Sequence, residues 1–224
     1  YFTFSEIMTA PFAQGSLLAL PRRKNQLTKG NLPMQLILAS QSPRRKELLG
    51  LFHIPFTVRI ADIDETMDPA KAPYDEVARV SLLKAKAVEA NAEDVVIAAD
   101  TIVVCDGRTL GKPHSEEEAA GMLRLLSGRD HQVMTGMTVL RGNTHRSITE
   151  VTDIHFRALS ENEIARYVAS GEPMDKAGAY GIQGGAALFA EKMVGDYYNV
   201  MGLPVCRLWQ LLSQIAPEIM EDIL

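Results

Sequence analysis

The chain has 224 residues, of which 46% are apolar and 23% charged, with a formal net charge of −5. Apolar content at that level builds a packed core, which excludes an intrinsically disordered chain. The acidic balance argues against a nucleic-acid surface, which carries a basic excess, yet leaves room for an anionic small molecule in one basic pocket.

Positions 1–33 show no helical or strand period. Glu6 is their one acid, against Arg22, Arg23, Lys24 and Lys29, and the run Leu17-Leu18-Ala19-Leu20 stops at Pro21. That run is shorter than the ~7–15-residue centre of a signal peptide. The stretch reads as an N-terminal extension outside the fold, with Met34 as the natural start, or else as a weak organelle-targeting segment. No apolar run approaches the ~18 residues that span a bilayer, so no membrane partner is expected. Cys105 and Cys206 have no CxxC partner. Both are expected to be small buried residues in a reducing, cytoplasmic compartment.

From Met34 the pattern is legible as a single domain, 34–224. Leu36-Ile37-Leu38-Ala39 reads as a buried strand. Ser40-Gln41-Ser42-Pro43 offers two cap hydroxyls and a first-turn proline for a helix over Arg44 to Leu51. Phe56 to Ile60 reads as a strand and Asp62-Ile63-Asp64-Glu65 as an acidic loop. Pro73 to Glu89 has helical spacing, with Val77, Val80, Leu83 and Val88 on one side. Val95 to Ala99 is a strand with Asp100 at or just past its end, and Thr101 to Cys105 stays extended up to the hairpin signal Asp106-Gly107. Leu110 resumes the pairing. Ser115-Glu116-Glu117-Glu118 and Ser160-Glu161-Asn162-Glu163 are capping boxes that open helices to about Leu126 and Ser170. Between them Gln132–Leu140 and Arg146–Phe156 pair across Arg141-Gly142-Asn143. Gly171 terminates the second helix. Asp175 to Gly185 is a glycine-rich structured loop, Leu188 to Met193 a strand, and Pro204 opens a last helix. Early strand–helix alternation followed by hairpins predicts an α/β fold, a mixed twisted sheet flanked by helices.

Four groups of residues could carry chemistry. Ser40-Gln41-Ser42-Pro43-Arg44-Arg45-Lys46 lies between strand and helix, where free N–H groups, a positive dipole end, hydroxyls and cations suit phosphate oxygens. A capped helix with solvated cations would read the same way. Asp62, Asp64, Glu65 and Asp100 are hard-oxygen donors of the kind that Mg²⁺ takes one or two at a time alongside substrate phosphate. Asp100 is the sharpest, since a carboxylate held by a buried strand can bind metal or activate water. A turn-forming aspartate is the plain alternative. Lys84, Lys86 and Lys112 are point charges for phosphate, Lys112 constrained between Gly111 and Pro113. The loop Asp175–Gly184 lets a ligand approach the backbone, and Gln183 offers both donor and acceptor to a base edge. The five histidines show no zinc spacing, and there is no Walker A, GxGxxG or GxSxG pattern.

In combination these segments resemble the Maf family, named for septum formation, whose members are nucleotide pyrophosphatases related to the inosine triphosphate pyrophosphatase fold. The resemblance is carried by LILASQSPRRKELL at 36–49, DIDE at 62–65, AADTIV at 98–103, GKP at 111–113 and RLLSGRDHQVMTG at 124–136. It continues through HFRALSENEIARYVASGEPMDKAGAYGIQG at 155–184 and NVMGLP at 199–204. It implies hydrolysis between the α and β phosphates of a nucleoside triphosphate with a divalent metal, Mg²⁺ or Mn²⁺. It makes Asp100 the residue that activates water, assisted by Lys84 and Lys112, with Glu65 and Asp100 on the metal. Ser40 and Arg44 match the phosphate-binding loop, and Arg44, Thr101 and Gln183 match positions tied to substrate choice. Asp100-Thr101 and Tyr180-Gly181-Ile182-Gln183-Gly184 resemble the dTTP and UTP branch, where the 7-methyl-GTP branch has Asp-Gln and a Ser-Phe loop. The chain departs from the family at Gly111, often Glu, and at Ser81-Leu82-Leu83-Lys84, often Ala-Arg-Glu-Lys. The implied role is clearance of surplus or modified nucleotides by a homodimer. The rival is a regulatory interaction protein that affects cell division without catalysis.

Overall fold

The structure is a computed structural model that describes residues 34–222 apart from position 61. The expected extension at 1–33 lies outside the described residues. β1 (Leu36–Leu38) is followed by α1 (Pro43–Gly50), β2 (Phe56–Val58), α2 (Pro73–Ala87), β3 (Val95–Cys105), β4 (Arg108–Leu110) and α3 (Glu116–Leu126). Then come β5 (Asp130–Arg141), β6 (Thr144–Phe156), α4 (Glu161–Ala169), β7 (Ala190–Val194), α5 (Tyr197–Met201) and α6 (Val205–Ile215). Short 3-10 turns occupy Glu172–Asp175, Ala177–Ala179, Gly185–Leu188 and Pro217–Asp222. The strands join in the order β2-β1-β3-β5-β6-β7, with β4 also on β3. β1 runs parallel to β2 and β3, and every later pairing is antiparallel. The mixed sheet flanked by helices is therefore the fold that the strand–helix order predicts.

β3 is the axis of the molecule. On one side it pairs continuously with β5, from Val95 opposite Arg141 to Val104 opposite Gln132. On the other, β1 covers Val95 to Ile97 and β4 covers Val103 to Cys105. Residues 98–102 thus face a notch between two short strands. Asp100 and Thr101 are the two partly exposed positions of an otherwise buried strand. Here the structure corrects the sequence reading. Asp100 is in the middle of β3, because pairing with β5 carries the strand onward; the strand that ends beside it is β1.

Alternation along β3 sorts the core onto two faces. Val95, Ile97 and Ala99 pack with Leu48 and Leu49 of α1 and with Leu208, Leu211 and Leu212 of α6. Farther along the same face, Val103 and Cys105 meet Leu123 of α3 and Ile164 of α4. Val96 and Ala98 point the other way, to Ala85 of α2, and Ile102 and Val104 to its Val77. Asp100 shares the α2 face and Thr101 the α1 face. Gly136, opposite Asp100 in β5, explains how α2 comes so near. A Cβ there would stand 2.2 Å from the Val77 carbonyl oxygen, so only glycine lets the helix lie on the strand.

Other expectations shift in detail. The buried side of α2 is Glu76, Val77, Val80, Ser81, Lys84 and Ala85. Leu83, expected inside, is 38% exposed, since the i, i+3, i+4, i+7 stripe from Val77 runs through Ser81 and Lys84. Phe56 to Ile60 is strand only to Val58, and Ile60 is exposed. Leu188 closes a 3-10 turn in place of opening β7. Ser160 and Glu163 form a reciprocal capping box. The Glu118 carboxylate turns instead to the His114 N–H, while the Ser115 hydroxyl caps Glu118 N–H as expected. Cys105 is buried as expected and Cys206 is exposed on α6. Two elements went unread: α5, capped by Asp196 and closed by Gly202 at φ 106°, and the turn after Ala216.

Candidate active site

Three segments converge on the notch. On the α2 face, the Lys84 ammonium lies 2.7 Å from Asp100 Oδ1 and 2.8 Å from Glu65 Oε2. The Lys84 and Asp100 side chains are 11% and 13% exposed, whereas Glu65 is 53% exposed at the rim. One cation thus holds two carboxylates together, and removing it would leave the like charges of Asp100 and Glu65 facing each other. Asp64, beside Glu65, is taken up locally. Its pKa is lowered by hydrogen bonding from the Thr66 side chain and from the Thr66 N–H, which donates to Oδ1 at 2.8 Å. Asp62 is exposed.

On the α1 face the centre is Arg45. Its Nε donates to the Gly202 carbonyl at 2.8 Å, Nη1 to Ser40 Oγ at 3.2 Å and Nη2 to Thr101 Oγ1 at 2.9 Å. Ser40 Oγ also accepts the Ser42 N–H, and Ser42 Oγ caps α1 by accepting Arg45 N–H. Behind Thr101 the chain of hydroxyls continues. Thr101 Oγ1 and Thr135 Oγ1 are 2.9 Å apart, and Thr135 donates to the Asn199 carbonyl at 3.0 Å. Asn199, fully buried, anchors α5 by donating to the Val133 carbonyl and Thr152 Oγ1. Burial lowers the Arg45 pKa, while Asp100 and Glu65 pull it up, which places all three in one electrostatic field. The fork of guanidinium donors is fixed before any ligand arrives.

The remaining sequence candidates sit around this centre. Arg44 Nη1 lies 3.7 Å from Asp175 Oδ2, at the start of the glycine-rich loop. Gln183 is exposed in the turn Gly181–Gly184 of that loop. Lys112, also exposed, follows Gly111, whose carbonyl accepts the Gly178 N–H at 3.0 Å and ties the loop to the end of β4. Lys86 is exposed on α2 and belongs to an open cleft of about 520 Å³ with Asn91, Asp94 and His145, away from the notch. Structure therefore brings Ser40, Thr101, Lys84, Asp100 and Glu65 into one place, with Arg44, Lys112 and Gln183 on the segments that flank it. Arg45 belongs to the candidate segment 40–46 but is not singled out there from Arg44 and Lys46. The signal was in the helical phase, because the buried Leu48 and Leu49 are three and four residues on from Arg45.

No group of three or more His, Cys, Asp or Glu side chains forms a metal cage among the described residues. The donor set of Asp100 and Glu65 still fits a hard divalent ion of the Mg²⁺ kind, which takes one or two carboxylates and completes its shell with substrate oxygens and water. Lys84 occupies the position of positive charge between them.

A family profile described as Maf-like protein matches residues 35–215. The chain belongs to the Maf-like family. Among curated Maf relatives, a dTTP/UTP pyrophosphatase of Geobacillus sp. (strain WCH70) is 52% identical over 77% of this chain and 94% of its own length. Another so named, from Symbiobacterium thermophilum, is 51% identical over 81% of this chain and 94% of its own. Among solved structures, a HAM1 protein from Coxiella burnetii matches at 15% identity and a TM-score of 0.45, over 81% of this chain and 99% of that one. Every site residue named above falls inside the Maf match. No helix among the described residues is long and apolar enough to cross a membrane.

Proposed function

We propose that the chain hydrolyses a nucleoside triphosphate, dTTP and UTP favoured, to the monophosphate and pyrophosphate. The observation that carries this reading is the Lys84 bridge between Asp100 and Glu65, set in a sheet notch beside the prebuilt Ser40–Arg45–Thr101 cluster. The names of the Maf relatives support the choice of substrate. Asp100 and Glu65 would hold the metal, Mg²⁺ or Mn²⁺. Once bound, it would neutralise phosphate charge and lower the barrier to attack at phosphorus.

The chain's own residues do the rest. Ser40, Arg44 and the N–H groups at the start of α1 receive the phosphate chain. Asp100, rigid in mid-strand and with Lys84 on one oxygen, accepts a hydrogen bond from the attacking water and takes its proton. Lys84 and Lys112 offset charge that develops on the departing pyrophosphate. Thr101, held by Arg45 and Thr135, and Gln183 in its turn select thymine or uracil. The work is done by the domain 34–224, a reading supported by the compactness of the unit Met34–Leu224. We place it in the cytoplasm, where the substrates are, as a homodimer without a nucleic-acid or membrane partner. Its role would be to clear surplus or modified nucleotides. The intact charge set is the feature that disfavours a purely regulatory role. Product analysis tests the reaction. Pyrophosphate and monophosphate from dTTP or UTP are expected, and orthophosphate with the diphosphate would mean that a different bond is broken.

A further inference from the structure

Gln183 is the third residue of the turn Gly181-Ile182-Gln183-Gly184, closed by the Gly184 N–H donating to the Gly181 carbonyl at 3.0 Å. Turns with glycine at both ends hold a side chain poorly unless something outside grips them. Here both ends are gripped by one carboxylate and its phenol partner. The Tyr167 hydroxyl accepts the Gly181 N–H at 3.0 Å and donates to Glu172 Oε1 at 2.9 Å. Glu172 Oε2 accepts the Gly185 N–H at 3.0 Å. Tyr167 is itself fixed, 7% exposed on α4 with its ring edge-on to Phe189 at 5.1 Å. Glu172 is locked by Lys176, whose ammonium donates to the Glu172 carbonyl at 2.6 Å.

The same carboxylate explains the glycines. A Cβ on Gly184 would lie 2.0 Å from Glu172 Oε1, and one on Gly181 would lie 2.7 Å from Lys176 Cε and 3.1 Å from Glu172 Oε1. The backbone has been cleared at these positions so that the clamp can close on it. Ile182 is partly buried against the core that holds Leu48 and Leu49, while Gln183 is exposed.

We propose that Glu172, acting with Tyr167, is a positioning residue for substrate choice: it holds the turn at both ends and thereby fixes where the Gln183 amide meets the base. This rests on the reading of Gln183 given above. The side chains of Glu172 and Tyr167 bond to each other and to the turn, and neither bonds to Asp100, Lys84 or Glu65. Their loss should therefore alter discrimination between bases, with the intrinsic hydrolytic step retained.

The test compares kcat/KM for dTTP and dGTP in wild type, Glu172→Gln, Tyr167→Phe, Gln183→Ala and the double variant Glu172→Gln/Gln183→Ala. Glu172→Gln keeps the size but removes the charge and turns one acceptor oxygen into a donor, so the side chain can no longer accept from Tyr167 and from the Gly185 N–H together. The preference for dTTP is expected to fall about tenfold in Glu172→Gln and in Tyr167→Phe, the worth of one hydrogen bond to a charged acceptor. That fall should come mainly through KM. In the Gln183→Ala background, Glu172→Gln should add nothing to the loss. A lowered melting point with an unchanged ratio in both single variants would overturn the proposal and leave Gln183 as a selector. An unchanged ratio in Gln183→Ala would overturn the reading of Gln183, and the proposal with it.

Discussion

Substituting Gly136 by alanine adds one methyl group and tests whether the close seat of α2 builds the site. The new Cβ would lie 2.2 Å from the Val77 carbonyl oxygen, 2.3 Å from its carbon and 2.6 Å from the Ala78 nitrogen. Ordinary contacts of this kind need about 3.5 Å, so helix and strand must separate by about 1 Å. The Lys84 ammonium, now 2.7 Å from Asp100 Oδ1, would be carried toward about 3.7 Å, beyond a hydrogen bond. Overpacking of this size costs about 1–3 kcal/mol, or about 3–9 °C of melting temperature for a domain of this length. A misplacement of about 1 Å at reacting groups costs on the order of a hundredfold in turnover. Thermal unfolding and steady-state hydrolysis measure the two effects on one preparation. Gly121, in the interior of α3 with nothing within 4 Å of its added Cβ, is the control. Gly121→Ala should raise stability by about 0.5–1 kcal/mol and leave kcat alone. A Gly136→Ala protein with wild-type melting temperature and turnover would refute the steric reasoning.

Two further outcomes follow from named contacts. Arg45→Lys keeps the charge but loses the planar fork that reaches Ser40, Thr101 and Gly202 at once. A fall of about ten- to a hundredfold in kcat/KM is expected, and an unchanged value would remove Arg45 from the site. Burial pushes the His131 pKa down to about 4 from the usual 6.5. Above pH 6.5 both folded and unfolded chains carry a neutral imidazole, so no effect arises there. Between pH 6.5 and 4 the unfolded chain takes up the proton first, so stability falls with acid by up to about 3 kcal/mol. Glu76 and Glu163, held down to about 2 by Arg79 and Arg157, begin to lose their contribution only below about pH 4.5. Most of the His131 window, from pH 6.5 down to 4.5, thus lies above theirs. Urea unfolding across pH should lose that window in His131→Gln; a persisting slope would assign it to other groups.

The sheet, its strand order of appearance and five of the helices were legible because their periods and caps are local features. Leu36–Leu38 is a bare apolar run, and Ser160 with Glu163 closes a capping box. Asp100 was legible as chemistry but misplaced along its strand, since the end of β1 is set by pairing and not by anything in β3. Lys84 is one of three candidate lysines in the sequence, and it is the phase of α2 from Val77 and Ser81 that turns it inward. Arg45 and Arg44 are neighbours of the same type, and the phase of α1 set by Leu48 and Leu49 is the one local sign of which turns inward. α5 is a single turn of helix whose anchor, Asn199, reaches residues 47 and 66 positions away, beyond any local pattern. The role of Glu172 is likewise written in glycine positions 9 to 13 residues later, which mean nothing until the loop folds back.

Pyrophosphate release from a panel of nucleoside triphosphates, by wild type and Asp100→Asn, with Mg²⁺ and with a chelator, tests the central claim most directly. Release that requires the metal, favours dTTP and UTP, and falls about a thousandfold in a folded Asp100→Asn protein is the predicted result. Turnover near that of wild type in Asp100→Asn, or no release from any nucleotide by folded wild-type protein, would contradict it.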